Sequence, residues 1–154
     1  MEDADRAAID DVMGRYFRAV SFEPGGRPTY DDLHELFVER GLLIRCSGDE
    51  PDIAGVADFV ATLQRVLAEG SLTSFAEREL AHVTELFGNV AQRFSHYAKQ
   101  GTAADGGIDT RGAISTQLVR TDGRWRISSM AWDDERAGLD LPATGLTGRA
   151  GPRG

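Results

Sequence analysis

The sequence predicts an α+β fold, with helices in the N-terminal half and a long antiparallel sheet behind them. Two observations carry this. Apolar residues recur at helical spacing between Ile9 and Leu67, and long strand-like segments follow from Leu72 to Asp133. Those segments are punctuated by Gly88-Asn89 and Asp122-Gly123, pairs suited to tight hairpin turns. Helices at the front and strands in series at the back indicate segregated layers, not a parallel doubly wound sheet.

Ile9, Val12, Met13, Tyr16, Phe17 and Val20 form one helical face over three turns. Asp3 or Asp5 can cap this helix, and Pro24-Gly25-Gly26 ends it. A short second helix fits Asp31 to Phe37, with Thr29 as its cap and Leu33, Leu36 and Phe37 inward. Leu42 to Cys46 reads as the first strand and Gly48 to Asp52 as a turn. Ile53, Val56, Val60, Leu63 and Leu67 then predict a third helix, stopped by Gly70. Strands are expected at 72–87 and 90–99. Gln100 to Gly112 carries Gly101, Gly106, Gly107 and Gly112 and is expected to be a long loop. Strands at 113–121 and 124–133 complete the series. The domain is therefore expected over residues 1–135. Residues 136–154, with five glycines and two prolines, are expected to be a tail.

The chain has 154 residues, 41% of them hydrophobic, which suits one domain with a real core. Its net charge of −8 and the lack of a basic stripe argue against nucleic acid and against anionic membrane surfaces. No apolar stretch approaches the roughly 20 residues of a membrane span. The acidic start, Met1-Glu2-Asp3, is unlike a signal peptide, so a cytoplasmic location is expected. Cys46 is the single cysteine, and His34, His82 and His96 are too scattered for a zinc site. No glycine-rich phosphate loop and no serine nucleophile elbow occurs. Neither a metal nor a cofactor is expected.

Three stretches carry a family resemblance. They are Arg15-Tyr16 in the first helix, Leu36-Phe37 before the first strand, and the closing Gln117-Leu118-Val119-Arg120-Thr121-Asp122-Gly123-Arg124-Trp125-Arg126-Ile127. With the order of elements, they make residues 5 to about 135 resemble the nuclear transport factor 2-like superfamily. That group includes ketosteroid isomerases, scytalone dehydratase and SnoaL-type cyclases. The resemblance implies a cone: a strongly curved, mostly antiparallel sheet wrapped by three helices around a pocket, with a convex face that often forms a dimer. Matched to the isomerase pattern, Tyr16, Arg45, Phe59, Leu63, Phe94, His96, Gln117, Met130 and Trp132 should face the cavity and bind a ligand. On the same matching, Arg93, Ser95, Tyr97, Leu118, Arg120, Trp125, Ile127 and Ser129 should face outward and support a homodimer.

An isomerase of this type needs a carboxylate base with a tyrosine and a protonated aspartic acid as donors. Tyr16 stands at the tyrosine position, but the base position falls on Arg45 and the second donor position on Gln117. An arginine stays protonated, so ketosteroid isomerase activity is not expected. His96, with Tyr16 as donor, is the remaining candidate for acid–base work; the alternative is a hydrogen-bonded histidine of the sheet. Arg45 needs a counter-charge, from the loop at 48–52 or from a ligand. Three functions fit: a pocket for a small apolar or anionic molecule, a lyase or cyclase on a polyketide-like or aromatic substrate, and a dimeric interaction module.

Overall fold

The computed structural model describes residues 2–143 and Leu146. Helix α1 spans Glu2–Val20, a single 3-10 turn at Tyr30–Asp32 leads into α2 (Leu33–Leu36), and α3 covers Val56–Ala68. The strands are β1 (Phe37–Arg45), β2 (Asp52–Gly55), β3 (Leu72–Phe87), β4 (Val90–Ala103), β5 (Gly106–Thr121) and β6 (Arg124–Asp134). They form one curled, unclosed sheet in the order β2-β1-β6-β5-β4-β3. Neighbours are antiparallel except β1 and β6, which run parallel.

The apolar face of α1 packs into the concave side of the sheet. Ile9, Met13, Leu33, Leu36, Ile114 and Ile127 are fully enclosed there. Polar clasps fix α1 along its length. Near its start, Asp5 accepts hydrogen bonds from Arg120 (2.7 Å) and from the indole N–H of Trp125 (3.0 Å). Midway, Arg93 donates to Asp10 (2.5 Å) and grips Glu79 through two nitrogens (3.0 and 2.7 Å). Just past its end, the Ser21 hydroxyl donates to the Phe17 carbonyl (2.7 Å) and accepts the backbone N–H of Glu77 (3.0 Å).

Both hairpin turns form where expected. Gly88 has φ of 57°, and Asp122 and Gly123 both take positive φ (54° and 75°), as a tight two-residue turn between twisted strands requires. Three expectations need correction. The first strand begins at Phe37, not Leu42, because an irregular register between Phe37 and Leu42 interrupts the alternation. The third helix begins at Val56; Ile53 belongs to edge strand β2, pairs with Ile44 and stays 61% exposed. Residues 100–112 are not a loop, since β4 and β5 run on as a paired hairpin turning at Ala104-Asp105. Two of the glycines that suggested a loop permit close approach instead. A Cβ at Gly101 would lie 2.3 Å from the Ser74 carbonyl, and one at Gly112 would lie 2.3 Å from the Tyr97 hydroxyl.

The faces of β4 and β5 are also the reverse of the expectation. Arg93, Ser95 and Tyr97 on β4, with Thr116 and Leu118 on β5, point inward and are almost fully buried. Phe94 and Gln117 lie on the outer face and are exposed. Hydropathy misleads here because the inward residues are polar yet paired: Arg93 and Ser95 both bond to Glu79. On β6, Ser128 is an extra residue, since Leu118 pairs with Ile127 and Gln117 with Ser129. This bulge lets Trp125 and Ile127 face inward before it, and Met130 and Trp132 after it.

The side of the sheet away from α1 carries one nearly apolar row across all six strands. Ile53, Ile44, Ala131, Ser115, Phe94 and Val83 stand side by side in consecutive pairings. After β6, Arg136 and Leu139 close a tight turn, and the Leu141 N–H donates to Glu135 (2.8 Å). Of the expected tail, residues 144–145 and 147–154 lie outside the described residues. Among the described residues, no helix is long and apolar enough to cross a membrane.

Candidate functional site

A cavity of about 270 Å³ opens between α1, α3, the 3-10 turn and the concave face. Its walls are mostly apolar. Phe59 and Leu63 come from α3, Tyr30 from the 3-10 turn, Phe75 from β3 and Trp132 from β6. Phe59 and Trp132 meet edge to face with centroids 5.9 Å apart, a favoured aromatic geometry.

Two polar groups stand at the mouth. Arg45, half exposed at the end of β1, lies 3.9 Å from Asp52 and 3.3 Å from the Ser47 hydroxyl. Asp52, the first residue of β2, thus supplies part of the counter-charge, through a single long contact, and Arg45 still lines the cavity.

The polar end is built by Tyr16, Glu77 and Lys99. Tyr16 comes from the inward face of α1 and is almost fully buried. Glu77 and Lys99 sit directly opposite each other on β3 and β4. The Ser21 clasp on its backbone fixes Glu77 beside the end of α1. Burial raises the Glu77 carboxyl from 4.5 to about 7; Lys99 pulls it down and Asp134 pushes it up. Burial also raises the Tyr16 hydroxyl well above its usual range, and the charge of Glu77 adds to this. Lys99 turns away from Glu77, across β5, to Asp134 on β6, at 3.0 Å. Tyr97 donates a hydrogen bond to the same Asp134 oxygen. Among the described residues, neither the Tyr16 hydroxyl nor the Glu77 carboxyl has a hydrogen-bond partner.

Five of the nine expected cavity residues line it: Tyr16, Arg45, Phe59, Leu63 and Trp132. Met130 faces inward but is sealed in the core. Phe94, His96 and Gln117 lie on the opposite side of the sheet, which removes His96 from any acid–base role in this cavity. His96 packs against Phe94 (6.3 Å between centroids), and burial together with Arg111 lowers its pKa, while Glu135 opposes. Sequence reasoning does not find Glu77 or Lys99; it singles out Asp134, on the face of Trp132 at the end of the last strand, but as an acid partner for His96, which lies on the other face. The pair of glutamates Glu77 and Glu79 has the pattern of a solvated edge, whereas both face inward. Their one sequence signal is shared parity with Phe75, an apolar neighbour on the same face. Among the described residues, no group of three His, Cys, Asp or Glu could hold a metal.

A curled sheet whose concave side is closed by helices over a pocket defines the nuclear transport factor 2-like class. A protein of that superfamily from Salmonella enterica serovar Typhimurium superimposes with a TM-score of 0.69 at 14% identity, covering 86% of this chain and 92% of its own. The SnoaL-like domain profile matches residues 2–131, and the chain belongs to that family. A candidate aromatic ring hydroxylase from Novosphingobium aromaticivorans is similar at 23% identity and a TM-score of 0.72, with 93% and 94% of the two chains covered. A Catenulispora acidiphila protein in complex with S-DNPA is similar at 18% identity and 0.65, covering 86% and 94%. No curated protein matches significantly.

Proposed function

We propose that the pocket binds a small, mostly apolar ring compound bearing a carbonyl or enol oxygen, and that Glu77 moves a proton on it. In this reading the Glu77 carboxylate takes a proton from the atom next to the carbonyl, and the Tyr16 hydroxyl donates to the oxygen as charge builds there. The observation that carries the reading is a carboxyl and a phenol, both without protein partners among the described residues, at the polar end of an aromatic-walled cavity. Both groups face the cavity, where the Tyr16 hydroxyl can donate to a ligand oxygen and the Glu77 carboxylate can take a proton from the adjacent carbon. A carboxyl titrating near 7 is suited to proton transfer at neutral pH. Arg45 at the mouth favours ligands with an added anionic group. The Catenulispora relative, solved with a small molecule bound, supports a ligand site in this fold. The carboxyl comes from β3, while Arg45 occupies the isomerase base position, so steroid isomerisation stays outside the proposal.

Calorimetry with a panel of aromatic and alicyclic ketones, with and without a carboxylate, tests the reading. Binding tighter than about millimolar is expected for some members, and Arg45→Met should weaken only the carboxylates. No binding by any member would overturn it.

The unit at work is proposed to be residues 1–135, in the cytoplasm, as a homodimer through the apolar row on the outer sheet face. Phe94 is 45% exposed and Ile53 61%. A monomer rarely leaves such a patch in water, and a twofold pairing would cover it with a self-complementary surface.

A further inference from the structure

The arrangement behind the pocket has a feature that proton transfer by Glu77 does not by itself require. Tyr97, Gly112 and Asp134 stand in one row across β4, β5 and β6. Gly112 has no side chain, and a Cβ there would collide with both the Tyr97 hydroxyl and the Asp133 carbonyl, each at 2.3 Å. Through this gap Tyr97 reaches across β5 and donates to Asp134, and also contacts the Asp133 carbonyl at 3.0 Å. Asp134 in turn holds the Lys99 ammonium, which lies 5.8 Å from the centre of the Tyr97 ring. The direct cross-strand neighbour of Lys99 is Glu77, yet the ion pair goes to Asp134. A lysine opposite a glutamate on one sheet face would ordinarily pair with it.

We propose that Asp134 is a positioning residue: fixed by Tyr97 across the gap at Gly112, it draws the Lys99 ammonium away from Glu77 and so sets the charge with which the pocket carboxyl meets a ligand. This rests on the reading of Glu77 as the proton-transfer group. The other charged or titratable groups around Glu77 are Tyr16 from α1, Tyr30 from the 3-10 turn, Arg45 from β1 and Asp52 from β2. Glu79, on the same strand, is already bound to Arg93. Only Lys99 among them is a cation directly across from Glu77, so its placement decides the local field. With Asp134 neutral, Lys99 is free to turn to Glu77 and hold it ionised. With Lys99 neutral, Glu77 loses its nearest cation and still feels the Asp134 charge. The two replacements therefore act in opposite directions, which a merely structural role would not produce.

The test is carbon-detected NMR titration of the glutamate carboxyls in the full chain, with Glu77 assigned through Glu77→Gln. Asp134→Asn should lower the Glu77 midpoint by about one pH unit, and Lys99→Met should raise it. Tyr97→Phe, which frees Asp134 while keeping its charge, should give a smaller lowering. If Asp134→Asn does not fold, Tyr97→Phe and Lys99→Met decide the matter: opposite shifts support the proposal, and shifts of one sign overturn it. An elevated wild-type midpoint that Asp134→Asn leaves unchanged, or raises, would overturn the proposal while leaving Glu77 as the base. The predicted shifts without ligand binding by any ketone would instead overturn the function and keep the positioning role.

Discussion

Replacing Glu77 by glutamine should stabilise the protein at neutral and alkaline pH, and the gain should grow with pH. The carboxyl titrates near 4.5 in an unfolded chain and at about 7 in the fold. Between those values the folded state still holds a proton that the unfolded chain has released. Stability from this group is therefore complete below the lower value and is lost as pH rises through the upper one. Each pH unit between the midpoints is worth about 1.4 kcal/mol, so ionised Glu77 costs the fold about 3 kcal/mol. The carboxyl faces a pocket open to water, and screening reduces this to about 2 kcal/mol. Glutamine keeps the shape and has no charge to desolvate. Urea denaturation of both proteins from about pH 5 to about pH 8 measures the effect. The variant's advantage should widen by about 2 kcal/mol across that range. Parallel stability curves would refute the reasoning, because they would mean that Glu77 ionises in the fold as easily as in the unfolded chain.

Other outcomes follow from the packing. Trp125→Ala should cost about 3–5 kcal/mol, since the ring is buried and its N–H is tied to Asp5; a cooperative variant of near wild-type stability in denaturant would contradict the core assignment. Arg93→Met should cost about 3–5 kcal/mol by leaving the Glu79 charge without its cation, and Arg93→Met with Glu79→Leu should recover much of it, as a double-mutant cycle would show. Ile44→Glu with Phe94→Glu should convert a dimer to a monomer in sedimentation; a wild-type chain already monomeric at micromolar concentration would remove the dimer.

The elements are largely legible in the sequence because helical periodicity and turn chemistry are local signals. Ile9 to Val20 could hardly be anything but a helix face, and Asp122-Gly123 defines its hairpin almost alone. The site is legible only in part. Tyr16, Phe59 and Leu63 lie on helices, where spacing shows which face points to the core, and the match to the isomerase pattern places them in the cavity that they do line. Strand alternation separates two faces without saying which is inward, and on β4 Phe94 outweighs Arg93 and Ser95 in hydropathy. Only the long-range partners Glu79 and Asp10 make the polar face the buried one. The bulges at Leu80 and Ser128 add parity changes that no local pattern marks. Glu77 is hidden for the same reason: its burial depends on α1 and β4, far away in the chain.

The most direct test of the account is proton exchange. A ketone from the binding panel, incubated with the protein in heavy water, should take up deuterium next to its carbonyl, followed by proton NMR. Exchange should exceed the buffer rate with the wild-type chain, and Glu77→Gln should slow it by about a hundredfold while retaining the fold. Exchange no faster than buffer for every ketone that binds, or equal rates for the two proteins, would contradict a pocket in which Glu77 moves the proton.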